Sequence, residues 1–160
     1  MVTTIQTASA EWRDVAKLVG KRFVSPWVGV SEGAVEHFEQ AAYLAQEDSK
    51  FDLSAYPEGL VEGFHLLALL DYLVGQVSFI ESDGWEGWNY GLDRVRFTHP
   101  VTTADRVRVQ GEITGLDDRG SAVLVTYDCQ MEVEGVSKPA LVATWKVLWS
   151  VDEVEAGSDE

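Results

Sequence analysis

The chain has 160 residues, a net charge of −15 and a single cysteine, Cys129. That length suits one domain able to bury about 70% of its unfolded surface, and the composition is that of an ordinary soluble protein. The acidic balance argues against a nucleic-acid partner, which needs clustered Lys and Arg, and the lone cysteine excludes an intrachain disulfide and zinc sites built on several thiolates.

Residues 1–10, M-V-T-T-I-Q-T-A-S-A, have neither the basic region nor the apolar core of a signal peptide, so a cytoplasmic protein with a short N-terminal tail is expected. Residues 11–151 form the expected domain, and 152–160 an acidic, solvated tail. Within the domain, Glu11 to Val19 predicts a short amphipathic helix with Trp12, Val15, Ala16 and Val19 on its inner face, closed by Gly20. Arg22 to Val30 is β-rich, but Pro26 confines it to an edge or a bulged strand. Ser31 is a good N-cap for a helix from Glu32 to about Gln46, burying Val35, Phe38, Ala42 and Ala45 or their neighbours. Asp48 to Gly59 reads as a polar loop.

Residues 59–80 carry the central helix, starting at about Glu62. From Phe64 to Val74 only His65 and Asp71 interrupt an apolar run. A helix apolar on all sides belongs in the middle of a fold. It is too short and interrupted to span a bilayer, which needs roughly 20 apolar residues. After a loop at Glu81 to Gly87 come four alternating runs: Trp88 to Thr98, Arg106 to Thr114, Ala122 to Glu134 and Ala140 to Val151. Asp117 to Gly120 and Gly135 to Lys138 are turns by composition. One buried helix followed by half-polar strands predicts an α+β domain, an antiparallel sheet wrapped around a long buried helix.

Several residues invite a functional reading. Glu62 and His65 stand at i and i+3, so a carboxylate and an imidazole share one helix face as a usable acid/base pair. Equally, Glu62 can complement the helix dipole while His65 is a hydrogen-bonded core residue. Trp85, Trp88, Asn89 and Tyr90 can line an acyl or ring-shaped pocket, or pack in the core or a dimer interface. Arg94, Arg96, Arg106 and Arg108 form an alternating basic stripe, either a phosphate-binding surface or a solvated face of cross-strand pairs. Cys129 faces the apolar side of its strand and reads as packing. His37 is expected on an exposed helix face and His99 in a turn.

V-G-K-R-F, S-P-W-V-G-V-S and A-V-E-H-F (residues 19–38) resemble the opening of MaoC-like hot-dog proteins of the NodN type. G-L-V-E-G-F-H-L-L-A-L-L (59–70) resembles the start of their central helix, and W-N-Y-G-L-D-R-V-R-F-T-H-P-V (88–101) their N-Y-G…V-R-F-x-x-P-V strand. The resemblance implies a hot-dog fold, a dimer, and action on acyl thioesters as an (R)-specific enoyl-CoA hydratase or 3-hydroxyacyl dehydratase. The substrate would be CoA- or carrier-linked, and no cofactor is implied. It also puts Gly63 where a backbone N–H holds the thioester oxygen. Active members resemble one another in a D-x-x-x-x-H segment that this chain lacks. Here A-A-Y-L-A-Q-E-D-S-K-F-D-L-S (41–54) puts Leu44 at the Asp position and Ser49 near the His position, and using Asp48 as the acid leaves Leu53 for His. Three functions follow: an enzyme with a rebuilt acid/base set, a non-catalytic subunit pairing with an active homologue, or a stand-alone ligand-binding protein.

Overall fold

The computed structural model describes residues 12–45, 50, 53–77, 79–80 and 84–151; both expected tails, and Asp48, Ser49 and Asp52, lie outside these. The elements in order are Arg22–Val24 (β1), Val28–Gly29 (β2), Glu32–Ala41 (α1), Leu60–Val61 (β3), Gly63–Gly75 (α2), Trp85–Phe97 (β4), Val101–Thr102 (β5), Arg106–Asp118 (β6), Ala122–Val133 (β7) and Leu141–Val151 (β8). Short 3-10 helices at Trp12–Leu18 and Leu53–Ala55 complete them. The first departs from the α-helical face expected there. Leu18 is buried and Val15 packs on the core, while Ala16 and Val19 are exposed. Three residues per turn bring positions 15 and 18 to one side.

The main sheet runs β1-β6-β7-β8-β4, with β2 also on β6, and every pairing is antiparallel. The Pro26 stretch is an interrupted edge, as its ring requires. Ser25 bridges the gap: its N–H donates to Val109 O at 2.8 Å, and its hydroxyl accepts from Val109 N–H at 2.9 Å. Alternation along β6, β7 and β8 sends Val109, Ile113, Tyr127, Met131, Trp145 and Trp149 inward. A Cβ at Gly111 would come within 2.6 Å of Phe23 Cζ, so only glycine lets Phe23 cross there. Phe23 then meets Phe79 and Tyr127 edge-on, at 5.2 and 5.8 Å between centroids.

The outer face carries cross-strand ion pairs: Arg108–Glu132 at 2.5 Å, Arg106–Glu134 at 3.3 Å and Lys146–Asp93 at 2.7 Å. The four arginines do not make one stripe. Arg106 and Arg108 are paired on β6, while Arg94 and Arg96 lie on β4, with β7 and β8 between.

Ser31 caps α1, its hydroxyl accepting from Ala34 N–H at 3.2 Å. The helix stops at Ala41, short of the expected Gln46, where Tyr43 takes a left-handed φ of 61°. Val35 is buried and Phe38 half-buried, while Ala42 and Ala45 are exposed and their neighbour Leu44 is half-buried in their place.

On α2, Leu66, Leu70, Leu73 and Val74 are buried and Leu67 is half-buried. The expectation of burial on all sides fails within the single chain. Phe64 and Tyr72 are 73% and 53% exposed, because the sheet covers only one side of the helix. Beside them runs β4, which among the described residues pairs with β8 alone and exposes Trp88, Tyr90, Leu92 and Phe97. Phe64 meets Phe97 at 6.2 Å, and Asn89 donates to Asp71 of α2 at 2.9 Å, so α2 adjoins the Asn89 and Phe97 side of β4. Register breaks at Asn89/Gly91 and Asp93/Arg96 bend this edge.

Leu70, 1% exposed at the centre of the α2 contact, gives a direct test of the core. Leu70→Ala should lose about 2–5 kcal/mol in denaturant titration. Leu70→Asp should show no cooperative melt at all, since an unpaired buried charge costs several kcal/mol. A cooperatively melting Leu70→Asp protein would remove α2 from the core.

Candidate functional site

The start of α2 is set by its surroundings. Gly59, at φ 68°, turns the chain into β3, which pairs Leu60 with Thr102 and Val61 with Val101 of β5. Glu62 follows in an extended conformation, and its carbonyl accepts the first helical bond, from Leu66 N–H at 3.0 Å. The N–H groups of Gly63, Phe64 and His65 therefore have no acceptor within the helix, and the dipole favours negative charge before them. A Cβ on Gly63 would lie 3.1 Å from the Phe97 ring, so this glycine also serves packing.

Between this helix start, α1 and residues 54–60 lies a cavity of about 990 Å³. Its apolar wall includes Val35, Phe38, Leu44, Tyr56, Leu60 and Phe64. Leu44, where the resemblance calls for Asp, faces this space. Glu62 and Gly63 line it, and His65 lies behind, 8% exposed, with its ring stacked on Phe38 at 4.5 Å and 11°.

Among the described residues, Glu62 Oε2 and His65 Nδ1 are the buried side-chain atoms without a hydrogen-bond partner. Glu62 sits at the N-cap of α2 and makes no side-chain cap hydrogen bond there. Burial, then the charge of Glu39, raises the Glu62 carboxyl above the ordinary glutamate value. Burial lowers the His65 imidazole. Burial thus moves the two groups in opposite directions, the carboxyl toward holding its proton and the imidazole away from taking one.

The aromatic candidates lie elsewhere. None of Trp85, Trp88, Asn89 and Tyr90 lines the cavity. Trp85 packs on Trp149 at 5.4 Å, and Asn89 accepts from Trp145 Nε1–H at 2.9 Å while holding Asp71. Trp88 and Tyr90 are 60% and 61% exposed on the edge strand. Cys129 is buried, its thiol pushed up to about 12, and His37 is exposed. A shallower depression of about 520 Å³ lies on the outer sheet face, but Arg22 there is paired with Glu112, and Asp128 accepts from Thr144. No cluster of three or more His, Cys, Asp or Glu among the described residues is placed to hold a metal. No described helix is long and apolar enough to cross a membrane.

Sequence reasoning missed the other acidic lining residues, Glu32, Glu36, Glu39 and Glu58. Three of them stand at i, i+4 and i+7 on α1, a spacing that puts them on one face. That face signal was available. Its convergence with Glu58 and Glu62 was not.

No protein-family model matches the chain. Among curated proteins, nodulation protein N of Rhizobium leguminosarum bv. viciae is 32% identical over 153 residues, covering 87% of this chain and 91% of that protein. The 3-hydroxyacyl-thioester dehydratase Z of Mycobacterium tuberculosis is 32% identical over 136 residues, 81% of this chain and 89% of that protein. Among solved structures, a MaoC-like dehydratase from Rhodospirillum rubrum matches with a TM-score of 0.66 at 17% identity, over 89% of this chain and 98% of that one. A 3R-hydroxyacyl-ACP dehydratase complex from Mycobacterium tuberculosis gives a TM-score of 0.60 at 15% identity, over 82% and 96% of the two chains. The structural likenesses carry the hot-dog fold.

The unpartnered pair predicts a particular pH dependence of stability. Glu62 binds its proton more tightly folded than unfolded, so stability falls as pH rises from the ordinary value of 4.5 to the raised folded value. His65 acts oppositely: stability falls as pH drops through its ordinary value of 6.5, because only the unfolded imidazole takes the proton. Glu62→Gln should therefore be more stable than the parent chain at neutral pH, with the gain vanishing below 4.5. Denaturant titrations at several pH values read this, and a gain that is the same at every pH would contradict it.

Proposed function

The chain belongs to the MaoC-like family of hot-dog hydratases and dehydratases, and from that premise we propose that it is an acyl-thioester hydro-lyase whose acid/base set is Glu62 and His65. The observation that supports this reading is the pair of buried, unpartnered atoms at the start of α2, one of them on the wall of the cavity. In the hydration direction, neutral His65 takes a proton from water as its oxygen bonds to C3 of an enoyl thioester. The electron pair of the C2–C3 double bond moves toward the thioester carbonyl, whose oxygen gains negative charge before the free N–H groups of the α2 start. Protonated Glu62 delivers its proton to C2. Transfer of a proton from His65 to Glu62, one helical turn away, restores the starting state.

A second reading, a non-catalytic subunit beside an active homologue, is favoured by Leu44 at the expected acid position and by the exposed α2/β4 surface. Either reading needs a second hot-dog chain. Four exposed large apolar side chains on an edge strand are otherwise an association hazard.

Enoyl-thioester hydration followed spectroscopically separates the two. On the first reading the isolated chain turns over, and Glu62→Gln or His65→Ala each lowers kcat/KM by about 10²–10⁴, with the double variant scarcely worse. Turnover that survives the double variant rejects this acid/base set, and absence of turnover favours the subunit reading.

Sedimentation should show the isolated chain associating through the α2/β4 surface. Tyr72→Glu and Trp88→Glu, both at exposed positions, should shift it to monomer without unfolding it. A wild-type chain that stays monomeric when alone would direct attention to a heteromeric partner.

A further inference from the structure

Phe38 touches two parts of the molecule at once. It lines the cavity at the α2 start, and its ring lies flat on His65, with 4.5 Å between centroids and 11° between planes. His65 itself is not a lining residue and is only 8% exposed. Such an imidazole needs something to hold it, because the torsion that turns a histidine ring is broad. A hydrogen bond on one ring nitrogen ordinarily does so for a histidine base. Here Nδ1 is buried and has no partner. Among the described residues, the ring contact of His65 is with Phe38 alone.

We propose that Phe38 is the positioning residue of His65: its ring sets the plane of the imidazole and shuts one of its faces from water. It acts through the imidazole rather than on the reacting atoms. The inference rests on the acid/base reading of Glu62 and His65 only for its effect on turnover.

Charge and cover pull this imidazole in opposite directions. The charged groups lining the cavity are acidic: Glu62 on its own helix, Glu32, Glu36 and Glu39 on α1, and Glu58 before β3. The Tyr56 phenol is the other titratable group there. Asp71, further along α2, is held by Asn89, and the inward side chains of β6, which α2 touches, are Val107, Val109 and Ile113. Carboxylates favour an imidazolium, yet burial holds His65 below its ordinary value. Cover outweighs charge, and Phe38 is part of that cover.

NMR of the full-length chain, following the imidazole C–H signals against pH, tests this without substrate. The signal lost in His65→Ala identifies His65, and His99 serves as internal reference. In the parent chain the His65 signals should lie upfield of free histidine, displaced by the current of the stacked Phe38 ring. Phe38→Leu keeps the wall apolar but removes the flat face. The proton affinity of His65 should then rise about threefold or more, toward the ordinary value of 6.5. Phe38→Tyr, which keeps the ring, should retain the parent titration. Phe38→Met takes the place of Phe38→Leu if the latter does not melt cooperatively. No upfield displacement in the parent chain, an unmoved titration without the ring, or an equal movement in Phe38→Tyr each overturns the proposal.

Turnover supplies an independent check. The acid limb of kcat/KM should move to higher pH in Phe38→Leu by the same factor as the titration, since His65 must be neutral to take a proton. A His65 titration that follows the ring in a chain without turnover leaves the positioning intact and sinks only the acid/base reading. Turnover that needs Glu62 and His65 but keeps its acid limb in Phe38→Leu sinks only the role of Phe38.

Discussion

Burial of one leucine-rich side of α2 against the inner face of the sheet is the contact on which the rest of the molecule depends. Leu66, Leu70 and Leu73 are at most 2% exposed, and each fully buried side chain of this size contributes about 1.5–3 kcal/mol. To receive them, β6, β7 and β8 must alternate without error, since a one-residue slip would turn their apolar set to water. The sheet must also bend, which the breaks in β4 and at Ile113/Gly115 of β6 allow. Seating that side fixes what remains. The N-terminal end of α2 is delivered to the cavity, and the opposite side of the helix is left facing outward.

The same seating explains which features could be read in advance. Period-two alternation announced β6, β7 and β8, and Pro26 announced an interrupted edge. The apolar run from Phe64 announced α2, but a sequence apolar all round does not say which side its own sheet will leave uncovered. That depends on how many strands one chain supplies. Trp88 and Tyr90 carried a similar ambiguity, because aromatic composition suits a ligand wall and a protein interface alike. Their exposure follows from β4 having β8 as its one neighbour in the sheet among the described residues. The α1 boundary was missed because helical patterning continues past Ala41, while Tyr43 leaves the helical region of backbone space.

At the site, the Glu62/His65 spacing was legible because helix geometry alone puts i and i+3 together. Their lack of partners was not, since it depends on Phe38 arriving from α1 to cover the imidazole. Two polar atoms left buried and unpaired are unusual in a well-packed protein and are expected to weaken it. Such atoms persist where something other than stability is served. Here they stand at the positive end of α2, where the charge of Glu39 raises the Glu62 carboxyl further.

Cys129 adds a property of a different kind. Its sulfur sits on the inner face of β7, an interior strand of the sheet, 2% exposed and with a thiol pushed up to about 12. Alkylating reagents attack the thiolate, which is scarce at neutral pH even if a reagent could reach it. Modification must therefore wait until β7 parts from its neighbours. The rate at which the native protein consumes a thiol reagent then becomes a clock for the rarest openings of the sheet, with no label needed, because the chain has no second cysteine to confuse the signal.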